Sequence, residues 1–399
     1  MAELLVRVGT QDAALVERVL AGRADRRPSR IVVDAHVASA SPRIGAAAAV
    51  AGVPYLIDPQ TFYLQDHHHP ARPWARLPFA RPEAMTPADL LRSGAADALV
   101  HGVIEYQLAH DATMVIAPYV HIERAGDGWV PVQVALWRAT RRYLDAQGIG
   151  LPTTAVAALG WRLLERARWP AALDRLQPEL AALNPSEVAL AASRVDAGAY
   201  PEDRLAALVS VVRQLRRTYP LIAWQQGVLG EAAVAAGAAG YESGIGWRER
   251  CDLRVAMAQR RRRPDRRGGP RPAYIEPLRR SIPAASVRAL AASSSLAAAL
   301  MCLDSTCCPD GRRSLTQDMR EHAIASRLRT LTALVQPDRP AWRWNHLAQV
   351  AQDGLELAAR INAFGRRGGG SQQVDLSALR ATLVLADNRR QTLRRVRVA

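Results

Sequence analysis

Short apolar runs alternate with helix-like stretches along the first 250 residues of the chain. Each run is followed by a polar or glycine-containing turn and then by apolar residues at helical spacing. Near-continuous apolar strands are typical of a parallel sheet covered by helices. The predicted strands are Leu4–Val8, Ile31–Asp34, Pro54–Asp58, Thr113–Ala117, Thr154–Leu159, Glu187–Ala191, Leu221–Trp224 and Ala239–Glu242. The predicted helices between them cover 11–22, 43–52, 87–110, 130–147, 162–183, 201–219 and 229–237.

Eight strands that alternate with helices predict an α/β fold of the (β/α)8 TIM-barrel type. A doubly wound open sheet is the alternative, but it favours a glycine-rich phosphate turn after an early strand. The first predicted turn, Val8–Asp12, reads V-G-T-Q-D and lacks the pattern G-x-G-x-x-G. The barrel is therefore favoured, followed by a basic α-helical C-terminal region.

The arginine-rich stretch Gln259–Tyr274 separates these two parts. It contains seven arginines, and its prolines and glycines are incompatible with a continuous helix or strand. Only helix-like segments are predicted beyond it, near 284–300, 315–334, 342–363 and 375–397. We therefore predict a barrel over 1–258, an Arg/Pro/Gly-rich linker arm over 259–274 and a basic helical region over 275–399.

The path of this arm follows from the direction of barrel helices. A helix over Arg248–Arg263 is expected to run from the mouth of the barrel to its opposite face. The arm is then expected to act as a strap that returns along the outside wall.

Positive charge is concentrated after residue 250. Residues 251–399 hold 27 arginines against 12 acidic residues, a net charge of +15, whereas residues 1–250 have a net charge of +1. Such an asymmetry indicates a polyanion partner, most often nucleic acid, with a solvated basic surface as the alternative. The arginines expected to contact a tRNA or DNA backbone are Arg260, Arg261, Arg262, Arg263, Arg266, Arg267 and Arg271.

The sequence also bounds the cellular compartment. Met1–Gly9 has no features of a secretory signal, and no apolar run reaches membrane-spanning length. Three of the four cysteines lie within Cys302–Cys308, which is unlike an extracellular disulfide framework. A cytoplasmic protein is expected.

Polar residues follow several predicted strands at their C-terminal ends, where reacting groups lie in barrel enzymes. Asp34 and Asp58 end adjacent strands, so their carboxylates are expected to share one cavity as nucleophile and acid/base. For either aspartate alone, a helix N-cap is the alternative. The residues expected to bind substrate at the same mouth are His36, Gln60, Tyr119, His121, Arg194, Gln225, Gln226, Glu242, Gly244 and Gly246.

A cysteine cluster lies in the C-terminal region. Cys302-x4-Cys307-Cys308 is followed by His322 within a predicted helix. Three thiolates and one imidazole predict a closed, structural zinc site, with buried inert thiols as the alternative.

A (β/α)8 barrel with a Cys3His element in a basic C-terminal region resembles the tRNA-guanine transglycosylase family. The resemblance implies exchange of a guanine base for a 7-deazaguanine, with an aspartate attacking C1′ of the sugar and the target base leaving its stack. The family's zinc spacing is C-x-C-x2-C, and its D-S-G-G-F segment and glycine-rich base-recognition loop are absent here. Asp34 and Asp58 are therefore assigned from their position alone.

Two other functions are compatible with the same sequence. The barrel could be a scaffold for a non-catalytic nucleic-acid-binding protein, or an enzyme acting on a small phosphorylated metabolite. Asn substitutions at Asp34 and Asp58 distinguish the first of these from an enzyme, because a scaffold does not need either carboxylate.

Overall fold

A computed structural model of the chain describes residues 2–66, 72–165, 168–262, 271–309, 311, 319–337, 339–367 and 373–398. The predicted barrel is present, and every barrel strand except the short His121–Ile122 overlaps a predicted strand. The barrel strands are β1 (Glu3–Val8), β2 (Arg30–Asp34), β3 (Tyr55–Asp58), β4 (Val115–Ile116), β5 (His121–Ile122), β6 (Thr153–Leu159), β7 (Glu187–Ala192), β8 (Leu221–Ala223) and β9 (Gly240–Gly244).

The strands pair in the order β3-β2-β1-β9-β8-β7-β6-β4, and every pair is parallel. Both β4 and β5 pair with β6, so together they form the fourth strand of the barrel. A bridge between Leu56 and Met114 joins the two ends of the sheet. The result is a nearly closed barrel.

Helices surround the barrel and form most of the C-terminal region. None of those in the described part of the chain is long and apolar enough to cross a membrane. The helices that follow barrel strands are α1 (Ala13–Ala21), α2 (Ala35–Ala40), α3 (Arg43–Ala51), α4 (Arg72–Ala75), α5 (Pro87–Leu91), α6 (Ala95–Ala109), α7 (Trp129–Gln147), α8 (Trp161–Leu164), α9 (Trp169–Leu183), α10 (Pro201–Leu215), α11 (Gly230–Ala236) and α12 (Leu253–Arg262). The later helices are α13 (Ala284–Leu290), α14 (Ser294–Leu300), α15 (Met319–Val335), α16 (Pro340–Arg367) and α17 (Ser377–Val398).

The N-terminal end of the barrel is closed by an ion pair. Arg30 on β2 lies 2.7 Å from Glu187 on β7, and Thr154 on β6 donates a hydrogen bond to the same carboxylate at 2.9 Å. Because charged groups in a barrel interior need partners, this contact lets the core end there without an unpaired charge. The opposite end is therefore the open one.

The helix that completes the barrel wall comes from the C-terminal region. α15 contacts β1, α1 and α11, and its buried residues Ile324, Leu331 and Leu334 belong to the same hydrophobic core as the strands. The predicted division at residue 258 therefore does not separate two cores, since residues far beyond it belong to the barrel. A second, smaller core forms around Ile275, Val287 and neighbouring side chains.

The expected strap along the barrel wall falls largely on residues outside the described part of the chain, so it stays a prediction. α12 begins at the mouth, where Val255 and Ala256 border a pocket, and Arg271 returns to the same mouth at Asp12 and at the carbonyl of Ile245. Residues 263–270, with Arg263, Arg266 and Arg267, lie outside the described residues.

A β-hairpin lies in the region predicted to be helical. β10 (Ala273–Ile275) pairs antiparallel with β11 (Arg280–Ile282), and Ser281 donates from its backbone N–H to Glu249 at 2.8 Å. This contact places the hairpin at the mouth of the barrel.

Candidate active site

Three carboxylates surround one arginine inside the mouth of the barrel. Arg7 on β1 places Nη1 2.6 Å from Oδ1 of Asp34 and Nη2 2.8 Å from Oδ2 of Asp58. Its Nε donates to Oε1 of Glu242 at 2.9 Å, and its guanidinium lies 5.3 Å from the centre of the Trp224 ring. All four charged side chains are buried. We call Arg7, Asp34, Asp58 and Glu242 the Arg7 cluster.

The predicted meeting of Asp34 and Asp58 is a direct result of strand register. The two residues are paired neighbours at the ends of β2 and β3. Glu242 arrives from β9 on the other side of β1, so the three strands nearest to Arg7 each supply one carboxylate.

Asp58 is held by several donors. Its Oδ1 accepts hydrogen bonds from the Tyr119 hydroxyl and from the Gln60 backbone N–H, both at 2.9 Å. Burial raises the pKa of Tyr119 well above its usual value, and the Asp58 charge adds to the effect. The hydroxyl therefore stays protonated and keeps donating to Asp58.

Asp34 is connected to solvent through Arg248. Oδ2 of Asp34 accepts from Nη1 of Arg248, whose side chain is 37 % exposed. Burial opposes ionisation of Asp34, but the charges of Arg248 and Arg7 outweigh it and hold the pKa of Asp34 well below its usual range, with a smaller effect from His36. Asp34 precedes α2 but makes no side-chain capping bond, so the N-cap interpretation does not account for it.

Glu242 is shifted in the opposite direction. Burial raises the pKa of Glu242, and Arg7 only partly offsets this effect. Its Oε2 accepts from the backbone N–H of Gln225 at 2.9 Å. Carboxyl groups with pKa values shifted in opposite directions suit separate roles as ionised group and proton donor.

A pocket of about 700 Å³ opens at the mouth beside this cluster. Arg248 both lines the pocket and bonds Asp34, so it connects the two. The volume is in the range of pockets for small molecules and nucleotides. The pocket wall carries cations, aromatic rings and amides, namely Arg248, Arg250, Arg280, Phe62, Tyr63, Trp247, Gln60 and Gln225.

Backbone strain is concentrated at this mouth. Four non-glycine residues that follow barrel strands have φ angles in the left-handed region: Gln60 (50°), Arg194 (58°), Gln225 (56°) and Arg248 (56°). Non-glycine residues rarely adopt this conformation, which is enriched at functional sites. At Gly244 a side chain is excluded outright, because a Cβ there would lie 1.8 Å from the carbonyl oxygen of Trp247.

The other predicted residues are distributed around the mouth. Gly246 lines the pocket with a φ of 75°. Gln226 does not line it, because its side chain donates to the Ala192 carbonyl at 2.6 Å. Arg194 lies in an adjoining pocket and is 3.5 Å from Asp252.

His121 lies in a second buried group at the mouth. Its Nε2 is 3.5 Å from Oε2 of Glu123. Burial lowers the pKa of His121 to about 4, with a smaller effect from the charge of Arg254. Burial raises the pKa of Glu123. His121 is therefore a neutral imidazole beside a carboxyl group, separate from the Arg7 cluster.

Arg7 and Arg248 are the site residues that sequence reasoning did not identify. Arg7 stands alone among apolar residues in Leu4–Val8. A lone arginine in a strand buried on both sides must have a buried partner, and this signal was present in the sequence. For Arg248 the sequence contains no comparable signal.

The basic arm is only partly described. Arg271 binds Asp12 and the Ile245 carbonyl, so its guanidinium is engaged within the molecule. Arg260, Arg261 and Arg262 belong to the end of α12, and their side chains lie outside the described residues.

The four predicted metal ligands converge. The ligand atoms of Cys302, Cys307, Cys308 and His322 all lie within 4.8 Å of one another. Nδ1 of His322 is 3.4 Å from Sγ of Cys307 and 3.3 Å from Sγ of Cys308. Its Nε2 is 3.1 Å from the Tyr274 carbonyl, which fixes Nε2 as the protonated nitrogen and leaves the Nδ1 lone pair facing the thiols. The cluster could hold a metal ion.

No protein-family model matches this chain, and no curated protein matches it. Among solved structures, it is similar to a candidate phosphonomutase from Burkholderia cenocepacia J2315, with 13% identity, 61% of this chain and 87% of that chain covered, and a TM-score of 0.35. For thiamine phosphate pyrophosphorylase from Pyrococcus furiosus the identity is 11%, the match covers 66% of this chain and 95% of that chain, and the TM-score is 0.30. For a GH18 chitinase from Pseudoalteromonas aurantia the identity is 11%, the match covers 65% of this chain and 100% of that chain, and the TM-score is 0.38. Similarities this weak carry no argument about family, substrate or reaction.

Proposed function

We propose that this chain is a nucleic-acid-modifying base-exchange enzyme of the transglycosylase type, acting at the mouth of its barrel. The observation that carries the proposal is the Arg7 cluster, which holds Asp34 and Asp58 together beside a nucleotide-sized pocket. Rings for stacking, amides for the edge of a base and arginines for phosphate all line that pocket. The architectural resemblance to tRNA-guanine transglycosylases agrees with this assignment.

Asp34 is the nucleophile in this mechanism. Its carboxylate is ionised, and its Oδ2 is bonded by Arg248, the residue that connects it to the pocket. A substrate phosphate can attract Arg248 away from Asp34, because phosphate and carboxylate are both anions that bind a guanidinium. Asp34 then forms a bond to C1′ of the sugar as the bond from C1′ to the leaving base breaks.

The other two carboxyl groups support this step. Glu242, whose pKa is raised by burial, can deliver a proton to the leaving heterocycle and recover one from the incoming base. Asp58 accepts from the buried Tyr119 and holds the strained Gln60 in place at the edge of the pocket. An incoming 7-deazaguanine attacks C1′ and releases Asp34, so the exchange needs no net oxidant or reductant.

We further propose that Cys302, Cys307, Cys308 and His322 hold one zinc ion. Three thiolates with one imidazole match the donor set of closed structural zinc sites. The hydrogen bond from His322 to the Tyr274 carbonyl is the usual outer support of such a ligand. Zinc bound there stabilises the fold and leaves no coordination position open for substrate.

Base exchange is tested by incorporation of labelled guanine or 7-deazaguanine into tRNA and into DNA. We expect Asp34→Asn to lower the rate of incorporation by about 10³-fold or more, as loss of a covalent nucleophile does. Nucleic-acid binding should remain. Asp58→Asn should lower incorporation as well. Asp25→Asn is the matched control, because this exposed carboxylate pairs with the neighbouring Arg23 and with no other cation among the described ion pairs. Nucleic-acid binding without incorporation by wild type, with the same binding in both variants, supports the non-catalytic scaffold instead. Full incorporation in both variants contradicts the roles of Asp34 and Asp58.

A small phosphorylated metabolite is the second candidate substrate. It is favoured by Arg248, Arg250 and Arg280, which place three cations in a single pocket. This alternative is supported if the protein turns over a phosphorylated metabolite in the absence of nucleic acid. That turnover should be lost in Asp34→Asn.

A further inference from the structure

A second pocket of about 460 Å³ adjoins the first at the mouth of the barrel. It lies between Trp161, which follows β6, and the loop 193–200, which follows β7. Arg194 lines this second pocket and is 3.5 Å from Asp252, which lines the first. The two pockets therefore meet at this ion pair, and a strand that crosses it can reach both.

The loop at this pocket is built around a buried arginine. Arg204 donates to the carbonyls of Arg194, Ala197 and Ala199 and pairs with Glu165 at 3.0 Å. These bonds consume its donors within the protein, so Arg204 shapes the loop and does not serve as a cation for a ligand.

Tyr200 is the unusual residue of this loop. Its side chain is 65 % exposed, and its φ of 61° places it in the left-handed region that bulky residues rarely adopt. Glycine or asparagine would fulfil the turn with less strain. The backbone turn therefore does not explain why a tyrosine stands at this position. A contact between its exposed ring and a ligand would explain it.

Trp161 provides a second aromatic group. Three guanidinium groups lie 5.2 to 5.9 Å from its ring centre, those of Arg162, Arg194 and Arg204. Its buried Nε1 has no hydrogen-bond partner among the described residues. Acidic side chains at the pocket, Glu165 and Asp203, offset the arginines, so the pocket favours a planar, uncharged ring over a phosphate.

We propose that this second pocket receives a nucleobase of the single strand that flanks the target nucleotide, with Tyr200 as its stacking platform. The inference rests on the proposed function, because it takes the strand in the first pocket to be nucleic acid. Extraction of a target base unstacks its neighbour, and a neighbouring aromatic ring compensates for the lost stacking.

The test uses the full chain and two short fluorescein-labelled single strands, one with bases and one with an abasic backbone. Tyr200→Gly removes the ring and relieves the φ angle, so its melting temperature should be unchanged or higher. Binding of the base-bearing strand should weaken by about 5- to 150-fold, the loss expected for one stacked base. Binding of the abasic strand should not change, and Tyr200→Phe should retain wild-type affinity for both.

Trp342→Ala is the matched control, since it removes another exposed aromatic side chain, 57 % exposed, from the C-terminal helix α16. Equal affinity of wild type and Tyr200→Gly for the base-bearing strand overturns the inference, as does equal weakening for both strands or absence of binding by wild type. Base exchange is measured separately. Tyr200-dependent binding without any exchange contradicts the proposed function alone, whereas exchange with Tyr200-independent binding contradicts this inference alone.

Discussion

Arg7 is the residue whose replacement should be most damaging to the fold. It is the shared hydrogen-bond donor of three buried carboxyl groups, and no other cation contacts Asp58 or Glu242 among the described ion pairs. Removing one member of a buried ion pair leaves uncompensated charge and costs about 3–5 kcal/mol. We expect Arg7→Met to lower the free energy of unfolding by at least this amount in a urea titration.

The control for Arg7 is an exposed arginine with a single partner. Arg18 pairs with Glu321, and both side chains are largely solvated. Arg18→Met should change the free energy of unfolding by about 1 kcal/mol or less, as exposed pairs do. A similar small change for Arg7→Met would contradict the view that the cluster is held together by its guanidinium.

His121 should make the protein sensitive to mild acid. Burial, with a smaller effect from Arg254, lowers the pKa of His121 from 6.5 to about 4 in the folded state. The unfolded chain therefore takes up a proton that the folded chain refuses, so stability should be lost as the pH falls through this interval. The expected loss is about 3 kcal/mol at most.

The measurement is the free energy of unfolding at several pH values for wild type and His121→Gln. The difference between the two should shrink as the pH falls from 6.5 to about 4. His101→Gln offers a control for the substitution itself, because His101 is exposed on α6 and its replacement removes no buried ring. Parallel profiles for wild type and His121→Gln would refute the assignment.

Individual site residues were predictable where strand ends reveal them. Asp34, Asp58, Tyr119 and Glu242 all follow or end apolar runs, and register brings them together. Arg248 was not predictable, because its contact with Asp34 depends on a loop that turns back over the mouth. The spacing of residues along the sequence does not show that this loop folds back over the mouth.

Among the elements, the hairpin β10–β11 connects the Cys3His cluster to the pocket. Tyr274 on β10 accepts from His322, while Arg280 and Ser281 on β11 line the pocket wall. Loss of the metal should therefore loosen this wall as well as the C-terminal region.

We expect dialysed wild-type protein to contain one zinc ion per chain and Cys307→Ser to contain only traces. The variant should also lose several kcal/mol of stability, because structural zinc contributes its binding energy to folding. Cys251→Ala is the control, since Cys251 is buried outside the cluster and should leave the metal content unchanged. Elemental analysis and thermal unfolding provide the two readouts. Metal-free wild-type protein would contradict the zinc proposal.

Most of the strands were predictable as elements because they are near-continuous apolar runs, whereas the two-residue strand β5 has no such run. The eighth wall helix was not, because α15 is separated from β9 by more than seventy residues of chain. Local periodicity correctly predicts that Met319–Val335 is helical. Its place in the barrel wall depends on long-range packing against α1 and α11, which periodicity does not report.

At the scale of the whole molecule, the charge asymmetry should determine how binding depends on salt. With a net charge of +15 after residue 250, phosphate contacts are expected to release counterions. Affinity for tRNA or DNA should fall by roughly 10³-fold or more between about 50 and 200 mM salt, the change expected for six or more contacts. An uncharged osmolyte at matched osmolality should have little effect. A flat salt profile would remove the support for a polyanion partner.

The late position of α15 also affects how the protein is made. During synthesis, all barrel strands emerge from the ribosome before the helix that covers the gap between α1 and α11. Until Val335 has emerged, the outer side of β1 remains open to solvent and to other nascent chains. Domains usually fold as they emerge, but this barrel is complete only after most of its sequence has emerged. We therefore expect its nascent form to bind chaperones that cover exposed apolar surface.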